Sequence, residues 1–181
     1  MVAATVYSTR FQDECSALVD ELDLSEQQKR FMRARWLNET VWLDGKATQS
    51  QQRYYLLRLV AIVGGLTVPA LVSLNVTSDA AAAITWTTFA LSLIVATAVA
   101  VEGFFRYGER WRHYRRTCEL MKSQGWQFFE LAGAYARYRS HKAAFRAFAT
   151  AVEGLIAEDV DVYIRQVMRE KGSDEEPEQE A

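Results

Sequence analysis

Residues 59–78 read LVAIVGGLTVPALVSLNVTS, and past Asp79 residues 80–101 read AAAAITWTTFALSLIVATAVAV. Neither run holds a charged side chain. A bilayer's hydrocarbon core is roughly 30 Å thick and takes about 20 mostly apolar helical residues to cross. Each run meets that length. In water, Gly64, Gly65 and Pro69 would argue against a helix. In lipid the backbone has no water to turn to, so a helix persists, Pro69 kinks it, and the two glycines let another helix approach closely. The only polar turn between the runs is Asn75, Thr77, Ser78 and Asp79. A turn that short returns the second helix antiparallel to the first. The expected fold is therefore an all-α membrane protein: a two-helix transmembrane hairpin, with spans at about 56–77 and 80–103, extended into a cytoplasmic helical bundle.

The flanks orient the hairpin. The turn has no Lys or Arg, whereas Arg53 and Arg58 precede the first span and Arg106, Arg110, Arg112, Arg115 and Arg116 follow the second. Positive residues stay on the inner side, which predicts a multi-pass protein of the plasma (inner) membrane with both termini cytoplasmic. Tyr54 and Tyr55, with Phe104, Phe105, Tyr107 and Trp111, suit an aromatic belt at the inner face, and Trp86 suits the outer one. The first apolar run begins near Leu56, too deep for a cleaved leader. The whole-chain shares, 50% hydrophobic and 24% charged among 181 residues, would suit a soluble protein; the clustering is what decides.

Outside the hairpin the pattern is helical, with no strand alternation and no internal repeat. Residues 1–7 are expected to fray. Phe11, Cys15, Leu18 and Leu22 then mark one face of a helix. Ser25 with Gln28 forms a capping box, so a second helix starts there. It carries Met32, Trp36 and Leu43 on one side and Lys29, Arg30, Arg33 and Arg35 on a polar face, and Gly45 is expected to end or bend it. The second span is expected to continue as a helix through residue 120. A further helix is expected after Gly125, over residues 126–138. A last one, over 141–171, repeats Phe145, Phe148, Val152, Leu155, Ile156, Tyr163 and Val167, a stripe suited to another helix or a partner chain. Residues 172–181 read as a disordered acidic tail. The segments are thus 1–55, 56–105, 106–171 and 172–181.

Enzyme signatures are absent. No glycine-rich phosphate loop exists, and no catalytic or metal-ligating cluster stands out. His113 lies among arginines without an orienting carboxylate. Cys15 and Cys118 read as reduced structural thiols. No cofactor and no nucleic-acid partner is implied. Arg58, Arg106, Arg110, Arg112, Arg115 and Arg116 are candidates for contact with lipid headgroups. The basic stretch 106–116 serves topology, or binds phosphate. Thr85, Thr88, Ser92, Ala96 and Val99 lie on one side of the second span, with Asp79 at its outer end and Glu102 near its inner end. Such a stripe is tight helix packing through small residues, or the lining of a narrow pore with acidic rings at its mouths that favour cations. Two helices cannot enclose a pore, so a pore requires a homo-oligomer.

A wider pattern joins these residues: Trp36 and Leu37, Trp42 with Leu43 and Asp44, Tyr54 to Arg58, Gly64 and Gly65, then Pro69. The second half adds Glu102 to Phe105, Gly108 to Arg112, Trp126 to Phe129, and Gly133 to Tyr135. Over residues 24–163 the chain resembles a bacterial two-transmembrane family of unknown function and, more widely, the SLATT superfamily of two-transmembrane effector domains. The resemblance implies a pore-forming effector. It departs in having no fused sensor, and in Ala134 where relatives are nearer Gly-Pro-Tyr. With the resemblance, the leading expectation is a homo-oligomeric channel, conducting cations through Asp79, Thr85, Thr88, Ser92, Ala96, Val99 and Glu102, with lipid, ions and copies of itself as partners. The alternative is a non-conducting membrane scaffold that recruits a partner through its cytoplasmic helices. A lipid-acting enzyme at the arginine-rich face is weaker, because no convergent acid–base cluster supports it.

Overall fold

Ser25 starts the longest helical stretch of the chain. Its side chain accepts from Gln28 N at 3.3 Å, while Gln28 Oε1 accepts from Ser25 N at 3.0 Å. The two bonds satisfy donors that a helix start leaves open. The computed structural model describes residues 2–75 and 81–174, with side chains for 9–73 and 82–161. Its helices are α1 (Val2–Glu21), α2 (Glu26–Phe31), a π-helical turn (Met32–Leu37), α3 (Asn38–Asn75), α4 (Ala81–Phe105), α5 (Tyr107–Phe129), a 3₁₀ turn (Gly133–Tyr135) and α6 (His141–Asp174). No strand occurs among the described residues. The expected turn at Thr77, Ser78 and Asp79 lies outside them.

Several expected boundaries move, each for a physical reason. The helix α1 begins at Val2 rather than after residue 7. Gly45 neither ends nor bends a helix into two: α3 runs through it for 38 residues. A lone glycine costs only about 1 kcal/mol in a helix interior, and its flanks are helix formers. The second span does not continue unbroken to residue 120. Arg106, at φ 48, breaks the run between α4 and α5. The break stays bonded, with Arg106 N to Glu102 O at 2.8 Å and Glu109 N to Arg106 O at 3.0 Å. Gly125 starts no helix, because α5 passes through it to Phe129 and residues 133–135 form the 3₁₀ turn. The last helix extends to Asp174, three residues beyond the expected end, and residues 175–181 of the expected tail lie outside the described ones.

The chain divides into two units. The first, Met1–Asp44 with Arg115–Ala181, holds the core. Trp36, fully buried, donates its indole N–H to the Met121 carbonyl at 2.8 Å. Its ring meets Phe129 and Phe148 edge-on at 5.6 and 6.2 Å. Phe128 stacks on Phe148 at 4.4 Å, and Tyr135, also buried, donates to Gln124 Oε1 at 2.6 Å. The π turn delivers Trp36 to this place: Asn38 N bonds to Arg33 O, one residue farther back than an α-helix would take it. Gly125 is the matching recess, since a Cβ there would stand 2.0 Å from Trp36 Cζ2. The α6 stripe is thus used within the chain at Phe148 and Val152, both fully buried.

The second unit, Gly45–Tyr114, holds most of α3, all of α4 and the start of α5. Gly64 of α3 lies against Val95 and Leu91 of α4, and Tyr54 lies against Gly108, just past the end of α4. An earlier residue on α3 thus meets a later one beyond α4, so the two helices run antiparallel. Gly64 is needed there, because a Cβ would stand 2.2 Å from Val95 Cγ2. Gly65 meets nothing within 4 Å, so only one of the two expected close-approach glycines is used inside the chain. Pro69 sits inside α3 and has no N–H to give the Gly65 carbonyl.

Candidate functional site: the outer faces of the hairpin and the cleft at its end

Two helices are long and apolar enough to cross a membrane, and the most apolar stretch of each is only 6% buried. The second of them, α4, divides its surface into four sectors, one of which, Ala83, Thr87, Ala90, Ile94 and Thr97, is exposed and also mostly small. Leu91, Val95 and buried Ala98 face α3. About a quarter turn away on the helix lie Thr85, Thr88, Ser92, Ala96 and Val99, the expected stripe. Thr88 and Ser92 are half-buried at its edge, while Thr85, Ala96 and Val99 are exposed. A third sector is bulky: Trp86, Phe89, Leu93 and Phe104 are all exposed, and Trp86 meets Phe89 edge-on at 6.2 Å.

The stripe's hydroxyls are held by their own helix. Thr88 Oγ1 donates to Ile84 O and Ser92 Oγ to Thr88 O, each at 2.8 Å. The donor is thereby used, and each oxygen keeps only its capacity to accept. Asp79 lies outside the described residues. Glu102 does not stand alone at the C-terminal end of α4: it lines a cleft of about 360 Å³ with Tyr54, Arg58, Gly103, Arg106, Gly108, Glu109 and Arg112.

Within that cleft the charges are unevenly matched. Arg106 and Glu109 pair at 2.6 Å. Arg58 bonds only a neutral group, the Tyr54 hydroxyl at 3.0 Å, and lies over the Tyr54 ring at 5.7 Å. Glu102 and Arg112 make no ion pair among the described residues. Gly108 keeps the wall thin, for a Cβ there would meet the Tyr54 ring at 2.8 Å and Glu102 Oε1 at 3.5 Å.

The other expected headgroup arginines divide. Arg110 and Arg116 make no ion pair among the described residues. Arg115 is taken up inside the first unit, by Asp44 at 2.9 Å and Glu119 at 3.0 Å. Sequence reading missed that node. Asp44 and Lys122 are both buried and paired at 3.2 Å, and the Cys118 thiol lies 3.6 Å from Asp44 Oδ1. Burial works against the Lys122 charge, but Cys118 and Asp44 more than offset it and raise its pKa. Burial also pushes the Cys15 and Cys118 thiols up to about 11, which keeps both protonated near neutral pH. The signal for the node was Asp44 and Lys122 on the apolar faces of two helices, visible only once both faces are known. Two exposed ends also meet: Arg35 forks onto Glu153 at 2.8 and 3.0 Å, which holds the Glu153 carboxyl below its ordinary range.

All-helical described residues with two antiparallel helices long and apolar enough to cross a membrane define the class of protein. Within that class the chain belongs to the family described as "Protein of unknown function (DUF4231)", whose model matches residues 38–143. No curated protein and no solved structure matches the chain. The matched stretch holds both apolar helices, the cleft, the Asp44–Lys122 node and Gly125.

Proposed function

We propose that the protein is an integral membrane protein whose hairpin assembles with copies of itself into a channel, cation-conducting, with both termini in the cytoplasm. The observation that carries the reading is the exposed small-residue stripe of α4, which lies between its α3-facing side and its bulky sector. One sector is spent on α3. The bulky sector of Trp86, Phe89, Leu93 and Phe104 suits lipid tails. The small sector of Thr85, Ala96 and Val99 is exposed and offers little to lipid, but it lets another helix come close or lines a narrow aqueous path. Leaving so much apolar surface open in water would be very costly, which supports the bilayer as its surroundings. The arginines at 53, 58, 106, 110 and 112, against none at 75–79, support the orientation.

Cation preference rests on the hydroxyl oxygens of the stripe, such as those of Thr88 and Ser92, and on the carboxylate that the sequence supplies at Asp79. Glu102 contributes less than the bare sequence implies, because three arginines line its cleft. The resemblance to SLATT effector domains supports the channel reading and a bacterial setting. The scaffold reading is weaker, since the α6 stripe expected to recruit a partner spends Phe148 and Val152 on the chain's own core.

The test is the oligomeric state of the purified protein, followed by planar-bilayer recording of single-cysteine variants. A ring of four or more copies is expected, with current blocked by a charged thiol reagent at Ser92→Cys or Ala96→Cys and unaffected at Leu93→Cys or Ala98→Cys. A monomer or dimer, or a stripe no more reactive than the bulky sector, overturns the proposal.

A further inference from the structure

The cleft at the inner end of α4 holds both signs of charge without letting them cancel. Arg106 and Glu109 pair with one another, whereas Arg58 bonds the neutral Tyr54 hydroxyl and neither Glu102 nor Arg112 makes an ion pair among the described residues. Opposite charges lining about 360 Å³ would ordinarily close onto one another, as Arg115 and Asp44 do elsewhere in the chain. Here Gly108 brings Glu102 and Tyr54 into one corner, and Arg58 bonds the Tyr54 hydroxyl at 3.0 Å. What remains is a space flanked by two guanidinium groups and one carboxylate. Its complement is a group carrying a phosphate and a cation a short distance apart. Guanidinium forks match phosphate oxygens, and a carboxylate accepts hydrogen bonds from an ammonium.

The neighbours of the lining residues narrow the choice further. Tyr55 and Leu59, which follow Tyr54 and Arg58 on α3, and Phe104, which follows Gly103 on α4, are large, apolar and exposed. A ligand seated by its charged end has greasy surface beside it, which suits an amphiphile and not a soluble phosphate.

We propose that this cleft seats one phospholipid whose headgroup carries both a phosphate and a primary ammonium, a phosphatidylethanolamine, with Arg58 and Arg112 on the phosphate and Glu102 on the ammonium. The primary amine is favoured over choline because Glu102 needs N–H donors, and the accessible aromatic face of Tyr54 is already under Arg58. The proposal rests on the bilayer part of the reading above and is independent of conduction.

Native mass spectrometry of the full chain in detergent, titrated with phosphatidylethanolamine, phosphatidylcholine and phosphatidylglycerol of matched acyl chains, tests it. The ethanolamine lipid is expected to bind most tightly. Glu102→Gln lowers its affinity about tenfold and leaves phosphatidylglycerol equal or tighter, while Glu102→Asp restores the original order. Arg58→Gln with Arg112→Gln weakens all three lipids by about tenfold or more. Phosphatidylglycerol ahead of phosphatidylethanolamine in the wild type, or a Glu102→Gln variant of unchanged melting temperature with an unchanged lipid order, overturns the proposal in favour of general attraction of arginines to anionic headgroups. Failure of the bilayer reading registers separately, as release of the chain from membranes by alkaline carbonate.

Discussion

Substituting Gly125 by Ala adds one methyl group, and the structure fixes where it goes. The new Cβ would stand 2.0, 2.7 and 2.8 Å from Cζ2, Cε2 and Cη2 of Trp36. A flexible side chain would move aside, but this one is held on every side. Its N–H is bonded to the Met121 carbonyl at 2.8 Å, Phe129 and Phe148 stand at its edges, and no part of it reaches solvent. Overpacking of a filled core costs about 1–3 kcal/mol. If the indole retreats far enough to lose its bond, a buried unsatisfied N–H and carbonyl add roughly 1–3 kcal/mol. Against this, Ala gains about 1 kcal/mol of helix propensity over Gly. With the bond lost the net is a loss of roughly 1–5 kcal/mol, which lowers the melting temperature on the order of 10 °C.

The assay is thermal unfolding in detergent, followed by tryptophan fluorescence. Gly154→Ala is the control, because Gly154 is an exposed helical position in α6 where a Cβ meets nothing within 4 Å; it should stabilise by about 0.5–1 kcal/mol. Trp36→Phe in the Gly125→Ala background should cost less than the two single changes added together, by about 1 kcal/mol or more. A Gly125→Ala protein as stable as wild type, or strict additivity with Trp36→Phe, would refute the recess argument.

Three further outcomes follow from the same geometry. Gly64→Val forces α3 away from Val95, whereas Gly65→Val meets open space within the chain; cysteine crosslinking between the helices should fail in the first and persist in the second. Asp44→Ala strands buried Lys122 and half-exposed Arg115 and should cost about 3 kcal/mol, most of it recovered in Asp44→Leu with Lys122→Met, as read from denaturant midpoints. The buried thiols, raised to about 11 from an ordinary value of 9.0, favour folding while protonated. That contribution is complete below about pH 9 and is lost as pH climbs toward 11, so the melting temperature should fall across that window, and less steeply in Cys15→Ala with Cys118→Ala. Neither thiol should react with maleimide at neutral pH until the chain is unfolded.

The apolar hairpin was legible because twenty-odd uncharged residues in a row leave few other readings, and the Ser25 capping box because it is a local motif with its own hydrogen bonds. The glycines were the weak point. Gly45, Gly64, Gly65, Gly108 and Gly125 are the same letter in the sequence, and three of them, Gly64, Gly108 and Gly125, are recesses for Val95, Tyr54 and Trp36. A recess is a tertiary fact, so spacing along one helix cannot separate it from a break. The true break fell on Arg106, a residue with no local preference for positive φ. Of the candidate site, the stripe and the arginines were visible as lists, but their grouping was not. The chain gives Arg58 to the cleft and Arg115 to a carboxylate 71 residues away, and only the fold decides between those fates.

The break at Arg106 also explains why the cleft exists. Had α4 continued as one helix, Glu102 and Arg106 would stand four apart on one face, in the usual arrangement for an i,i+4 ion pair. With φ at 48, Arg106 instead starts a new direction and pairs with Glu109, three residues on. Glu102 is left without its natural partner, facing Arg58 and Arg112 across open space. A backbone conformation that disfavours any side chain but glycine is therefore coupled to an unpaired, half-buried carboxylate beside two arginines. Arg106→Gly should relieve the backbone cost and stabilise the chain by about 1 kcal/mol, while freeing Glu109 to compete for Arg112. If the cleft is a headgroup seat, that variant gains thermal stability and loses lipid affinity together, as two readouts moving in opposite directions. Parallel movement of both would mean that the positive φ is only a way to end a helix.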